Sequence, residues 1–171
     1  MPGIGFSFSG GYRNVVELGM VTAGGTVNAT GTAADGTNYT ILGQILIPGG
    51  TLRANSWVFV EAVWNYNSAA SPAKSLNTRQ GANSIGVAAP TTSVVAAIQH
   101  QFWFNNSLQS QSAVNNTSWQ SPGLPSVLLS GSNDYTLDQN ITFEARWAGT
   151  AALGVDFITL VRAVAFAFLG P

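Results

Sequence analysis

The chain is expected to fold as an all-β protein, a two-sheet antiparallel β-sandwich of jelly-roll-like form with an extended N-terminal arm. Three observations predict it. Period-two alternation recurs in β-branched and aromatic runs, few windows carry the i, i+3, i+4 spacing of an amphipathic helix, and clusters of Gly, Pro, Asn and Ser cut the chain into short pieces. With 171 residues there is room for one domain with a real core but not for two comfortable ones. Short strands between turn signals in a chain of this size suit two sheets packed face to face.

Taken in order, residues 1–25 are rich in glycine, with Ile4, Phe6, Phe8 and Tyr12 set among Gly and Ser. This stretch is expected to be an arm plus one edge strand, with residues 26–171 forming the sandwich domain. The spacing of those four apolar residues puts them on one side of an extended strand, so the arm is expected to dock on a neighbour. Residues 37–47 form a strand that Pro48-Gly49-Gly50 ends, since Pro lacks a donor and Gly accepts positive φ. In 57–66 the even positions Val58, Val60, Ala62, Trp64 and Tyr66 make one apolar face. Glu61 and Asn65 share the other face with Trp57 and Phe59, which are therefore candidates for contact with a neighbour.

Short strands are expected at 74–79 and 85–88, and a longer one at 93–104. In the last, Ile98, His100, Phe102 and Phe104 lie on one side and Gln99, Gln101 and Trp103 on the other. Trp103 thus falls opposite its strand's main apolar row and joins the interface candidates. The Asn/Gln/Ser stretch 105–116 reads as a loop with a short strand. The cleanest alternation is 141–147, with Ile141, Phe143, Ala145 and Trp147 on the core side, and 157–168 closes the domain.

Hydrophobic residues make up 46% of the chain and charged residues 8%, against a usual charged fraction of about a quarter. The surface must then be carried by neutral polar side chains. Such a surface gives up the self-repulsion that keeps monomers apart, which suits a subunit of an assembly. The basic residues Arg13, Arg53, Lys74, Arg79, Arg146 and Arg162 are scattered and the net charge is -1, so no nucleic-acid partner is expected. With no cysteine, disulfides, thiolate nucleophiles and Cys-based zinc sites are excluded. The first residues lack the basic and apolar regions of a secretory signal. The run 157–169 is too short to cross a bilayer and has Arg162 in its middle, so no membrane span is expected.

The segments Ile47-Pro48-Gly49-Gly50-Thr51-Leu52, Trp64-Asn65-Tyr66-Asn67-Ser68-Ala69-Ala70 and Lys74-Ser75-Leu76-Asn77-Thr78-Arg79 resemble, in that order, small jelly-roll virion proteins of tailed bacteriophages. The loop from Phe104 to Gln111 and the pair Leu137-Asp138-Gln139-Asn140-Ile141-Thr142-Phe143 and Asp156-Phe157-Ile158-Thr159-Leu160 agree with the same group. The resemblance implies a virion structural protein. Its first form is a homotrimeric capsid decoration, or cement, protein on the outer capsid surface with the major capsid protein as partner. Its alternative form is a head or tail fibre module, or a receptor-binding tip that touches a host glycan. It carries no catalytic motif and no cofactor.

Chemistry elsewhere in the chain is sparse. A Ser-His-acid triad would have to run through His100, the one histidine, which sits in an apolar row and reads as a hydrogen-bonded core or interface residue. Glu61 and Glu144 could form a glycosidase pair only beside a shaped cleft, and both occupy outward alternating positions. Ser132, Asn133, Asp134, Asp138 and Asn140 offer several oxygens but not the spacing of a calcium loop, so an Asx-stabilised turn is the plainer account. No enzyme, metal or cofactor is expected.

Overall fold

A computed structural model describes residues 14–32, 38–67, 74–88, 96–116, 127–147, 153 and 155–170. Among these the chain is all-β: β1 (Asn14–Val21), β2 (Thr26–Asn28), β3 (Thr40–Ile47), β4 (Ser56–Tyr66), β5 (Lys74–Gln80), β6 (Asn83–Ala88), β7 (Ala96–Ser107), β8 (Ser110–Asn116), β9 (Val127–Gly131), β10 (Gln139–Trp147) and β11 (Phe157–Leu169). The larger sheet runs β1-β11-β4-β7-β8-β9, with the short β2 also on β11, and the smaller sheet runs β3-β10-β5-β6. Every pairing is antiparallel. The chain changes sheet between β2 and β3, β3 and β4, β4 and β5, β6 and β7, β9 and β10, and β10 and β11. These crossings make the sandwich jelly-roll-like.

β10 enters between β3 and β5, and β11 between β1 and β4. The last two strands therefore complete both sheets, and neither sheet closes until the C-terminal residues arrive. Local turn chemistry sets the corners. Gly50, at φ 76°, makes the left-handed step after β3, where Thr51 N–H donates to the Pro48 carbonyl at 3.1 Å. Gly81, at φ 55°, turns β5 into β6 through a left-handed step that other residues rarely adopt, with Asn133 Oδ1 and Gln139 Oε1 close against it.

The alternation of β4 behaves as its sequence implies. Val58, Val60, Ala62, Trp64 and Tyr66 are buried between the sheets with Ile45, Ile47, Leu76, Ile141, Phe143, Trp147 and Leu160. One strand inverts the expectation. Trp103, expected opposite the core, is fully buried in it, and Phe104, from the row expected to pack inward, is 43% exposed. The register explains this. Val58 pairs with Trp103 and Trp57 with Phe104, so the odd residues of β7 must share the face of β4's buried even residues.

The inward row of β7 is more polar because the sandwich closes at this end with buried amides. Gln111 Nε2 donates to Asn105 Oδ1 at 3.0 Å and to the Asn133 carbonyl at 2.9 Å, and its Oε1 accepts from Asn133 N–H at 2.8 Å. Asn133 Nδ2 donates to the Gln80 carbonyl at 2.8 Å, Gln80 Nε2 to the Tyr135 hydroxyl, and Asn105 Nδ2 to the Arg53 carbonyl at 2.7 Å. Each of these amides donates to a partner, which makes its burial tolerable, although Gln80 Oε1 accepts no bond among the described residues. The 105–116 stretch, expected as mostly loop, is instead the end of β7 and all of β8.

At the other end Lys74 lies fully buried, its Nζ 5.2 Å from the Tyr66 ring centroid and 5.4 Å from that of Trp147, with no hydrogen-bond partner among the described residues. Desolvation pulls its pKa below the usual lysine value, partly countered by the charge of Asp156. The Tyr66 hydroxyl is likewise desolvated and its pKa is pushed up to about 12.

Candidate functional site

The site is the outer face of the larger sheet. The strand register arranges it as a grid across β1, β11, β4 and β7. Its first row is Val15, Phe168, Trp57 and Phe104, and its second is Glu17, Phe166, Phe59 and Phe102. The third row is Met20, Val164, Glu61 and His100, and the fourth holds Arg162, Val63 and Ile98.

The upper two rows form one aromatic array. Trp57 stacks on Phe168 with centroids 3.8 Å apart and planes 5° apart, and lies 6.1 Å from Phe102. Phe59 tilts against Phe102 at 5.0 Å and against His100 at 5.5 Å. These contacts hold the rings in place within the sheet. They do not take the face out of water: Val15 is 54% exposed and Phe104 43% in the first row, with Met20 at 53% and Ile98 at 43% below them.

β11 shows how unusual the face is. Its core-facing residues after the bulge at 160–162 are Ala163, Ala165 and Ala167, all buried, while Val164, Phe166 and Phe168 stand outside. A strand serving only its own core would place its bulk the other way round.

The lower rows carry the site's charge. Glu61 Oε2 lies 3.0 Å from His100 Nε2, and Glu61 Oε1 accepts from Arg162 at 3.0 Å. The histidine–carboxylate pair is thus completed by a guanidinium rather than a hydroxyl, and its setting is an open sheet face. Glu144 lies on the opposite side of the molecule, on the outer face of the smaller sheet, where it accepts from Asn77 at 2.6 Å and sits 3.8 Å from Arg79. Both sheets stand between the two glutamates, which are therefore further apart than the roughly 5 to 9.5 Å that a glycosidase pair spans. Among the described residues no group of three His, Cys, Asp or Glu is placed to hold a metal ion.

The carboxylates of 132–140 are engaged in turn formation. Asp134 Oδ1 accepts from Thr136 N–H at 2.9 Å and from its hydroxyl at 2.6 Å, and Asp134 Oδ2 accepts from Gln109 at 3.0 Å. These bonds, those to Thr136 first, hold the carboxyl below the usual aspartate pKa. Asp138 accepts from Gly49 N–H at 2.8 Å, tying this turn to the one after β3.

Of the sequence candidates, Trp57 and Phe59 lie at the centre of the outer face, and Trp103 lies in the core. Ile4, Phe6, Phe8 and Tyr12 fall outside the described residues. Phe166 and Phe168 escaped sequence reasoning because 157–168 is apolar on both faces, although its alternation of small Ala with large Phe carried the signal.

No family model matches the chain, and no curated protein matches its sequence. Among solved structures it is similar to the CBM2 module of the evolved Dit of Lactobacillus casei BL23 phage J-1, at 7% identity over 92% of this chain and 97% of that one, with a TM-score of 0.42. It is also similar to VP2 of the infectious bursal disease virus subviral particle, at 11% identity over 99% of this chain and 37% of that one, with a TM-score of 0.35.

Proposed function

We propose that this chain is a non-enzymatic structural protein of a tailed-phage virion, in its most specific form a homotrimeric capsid decoration protein that sits on the outer capsid surface and stabilises the shell. The observation that carries the subunit role is the aromatic outer face of the larger sheet. A monomer rarely leaves so continuous an apolar face in water. The low charge of the chain supports the same role, since little repulsion opposes close association. The order of motifs along the sequence supports the virion setting. In this reading the arm bearing Ile4, Phe6, Phe8 and Tyr12 reaches the major capsid protein.

Copy number in purified particles tests the role. Hundreds of copies per particle, with shells that lose heat resistance when the protein is removed, are the expected result. A few to a few dozen copies would instead mean a fibre module or receptor-binding tip. One feature favours that second role: a shallow groove of about 410 Å³ on the smaller sheet, lined by Gln44, Arg79, Gln139, Asn140 and Thr142 beside Ile41. Planar amides and a guanidinium suit the hydroxyls of a host glycan, and glycan-array binding lost on Asn140→Ala would support it.

A further inference from the structure

We propose that the outer face of the larger sheet is closed by other copies of this same chain, so that the grid from Val15 to Ile98 is buried between subunits in the native protein. The inference rests on the homo-oligomeric reading above and deepens it by naming the surface.

Size is the first support. Four strands at about 4.8 Å spacing and four rows spanning about 27 Å give the grid a projected area on the order of 500 Å². Adding the seven residues of β8 and the five of β9 brings the sheet to about 700 Å², close to what each partner gives to a standard interface. The face can therefore fill an interface without help from other surfaces.

Charge selects the occupant. The middle of the grid holds one carboxylate, one guanidinium and one imidazole in contact, Glu61, Arg162 and His100. Glu17 stands alone in the second row, with no ion pair among the described residues. Arg162 keeps 61% of its side chain exposed, so most of its donors are unused. A partner of one sign would leave either Glu17 or Arg162 buried against like charge. Another copy brings both an exposed guanidinium and a lone carboxylate, and so supplies to each what it lacks. Aromatic rows likewise match aromatic rows in shape and chemistry, as in the core of a homo-oligomer.

The test is the mass of the full-length protein at micromolar concentration by sedimentation equilibrium, for three proteins. The wild type should sediment as an oligomer. The double variant Ile98→Glu and Phe104→Glu alters two residues that are 43% exposed in the subunit, so folding should survive while the dissociation constant rises at least a hundredfold. The control Ile41→Glu and Leu46→Glu makes the same change on the smaller sheet, at positions 56% and 49% exposed, and should sediment as the wild type. Should the double variant fail to fold by circular dichroism, Val15→Lys, at a position 54% exposed, reads the same contact. An oligomeric wild type whose mass is unchanged in the face variants overturns this surface but leaves the homo-oligomer standing. Dissociation of the control overturns it too. A monomeric wild type overturns both.

Discussion

The two outer faces of the sandwich are made by the same alternation and end in opposite chemistry. On the smaller sheet the outward residues bond to one another: Gln44 Nε2 donates to Thr142 Oγ1 at 3.1 Å, Asn77 to Glu144 at 2.6 Å, and the Tyr39 and Ser75 hydroxyls meet at 2.6 Å. The Arg146 guanidinium lies 4.6 Å over the Tyr39 ring. Ser75, Asn77, Thr142 and Glu144 are thereby buried with partners inside the subunit. On the larger sheet the corresponding positions hold Trp57, Phe59, Phe102, Phe166 and Phe168, all of them only half-buried. One face is finished by the subunit itself, and the other is finished only by something laid against it.

If that contrast is right, polar groups shared within the subunit should control its folding, whereas the aromatic face should control its association. The largest effect on folding is expected where buried amides join the sheets. Gln111→Ala strips partners from Asn105 and from both backbone groups of Asn133, and should cost about 3 kcal/mol in urea unfolding. On the polar face, Glu144→Ala removes the acceptor of Asn77 and the partner of Arg79, with an expected loss of about 1.5 kcal/mol. Neither change should alter the subunit count.

The buried Lys74 gives a pH signature. Its native pKa is lowered, so between that value and 10.5 the unfolded chain binds more protons than the native one, and stability should rise with pH across this window. Tyr66, raised to about 12, acts in reverse: above 10 the unfolded chain gives up the proton first, and stability should fall. A thermal midpoint that climbs towards pH 10 and then drops is the expected profile. Lys74→Met should flatten the climb and leave the drop. The smallest effect is expected for Leu46→Ser on the polar face, within about 0.5 kcal/mol and without change in how the midpoint depends on protein concentration. Phe104→Ser on the aromatic face should weaken that dependence.

Much of the fold was legible because one face of each strand must be dry. The alternation of 57–66 and 141–147 locates β4 and β10 and their core-facing rows, but the other face of β10, expected in water, is buried at Thr142 and Glu144, which bond to Gln44 and Asn77. β7 was read with its faces reversed because its more apolar row points outward, a choice dictated by pairing with β4 that no single strand reveals. β8 read as loop because Asn, Gln and Ser are poor strand formers alone. They serve here because Gln111 bonds across to Asn133, a partner 22 residues away. β9 escaped notice as a short run. The outer face was half legible: Trp57 and Phe59 stood out against polar neighbours, while Phe166 and Phe168 were hidden in a strand apolar on both sides.

The most direct test of the central contrast is hydroxyl-radical footprinting of the native protein in solution, read residue by residue by mass spectrometry. Met20, Ile98 and Phe104 on the larger sheet and Ile41 and Leu46 on the smaller sheet are all at least 43% exposed in the isolated subunit. If copies of the chain cover the aromatic face, the first three should be labelled several-fold less than the last two, and the protection should vanish on dilution to monomer. Equal labelling of both faces at concentrations where the protein sediments as an oligomer would contradict the account.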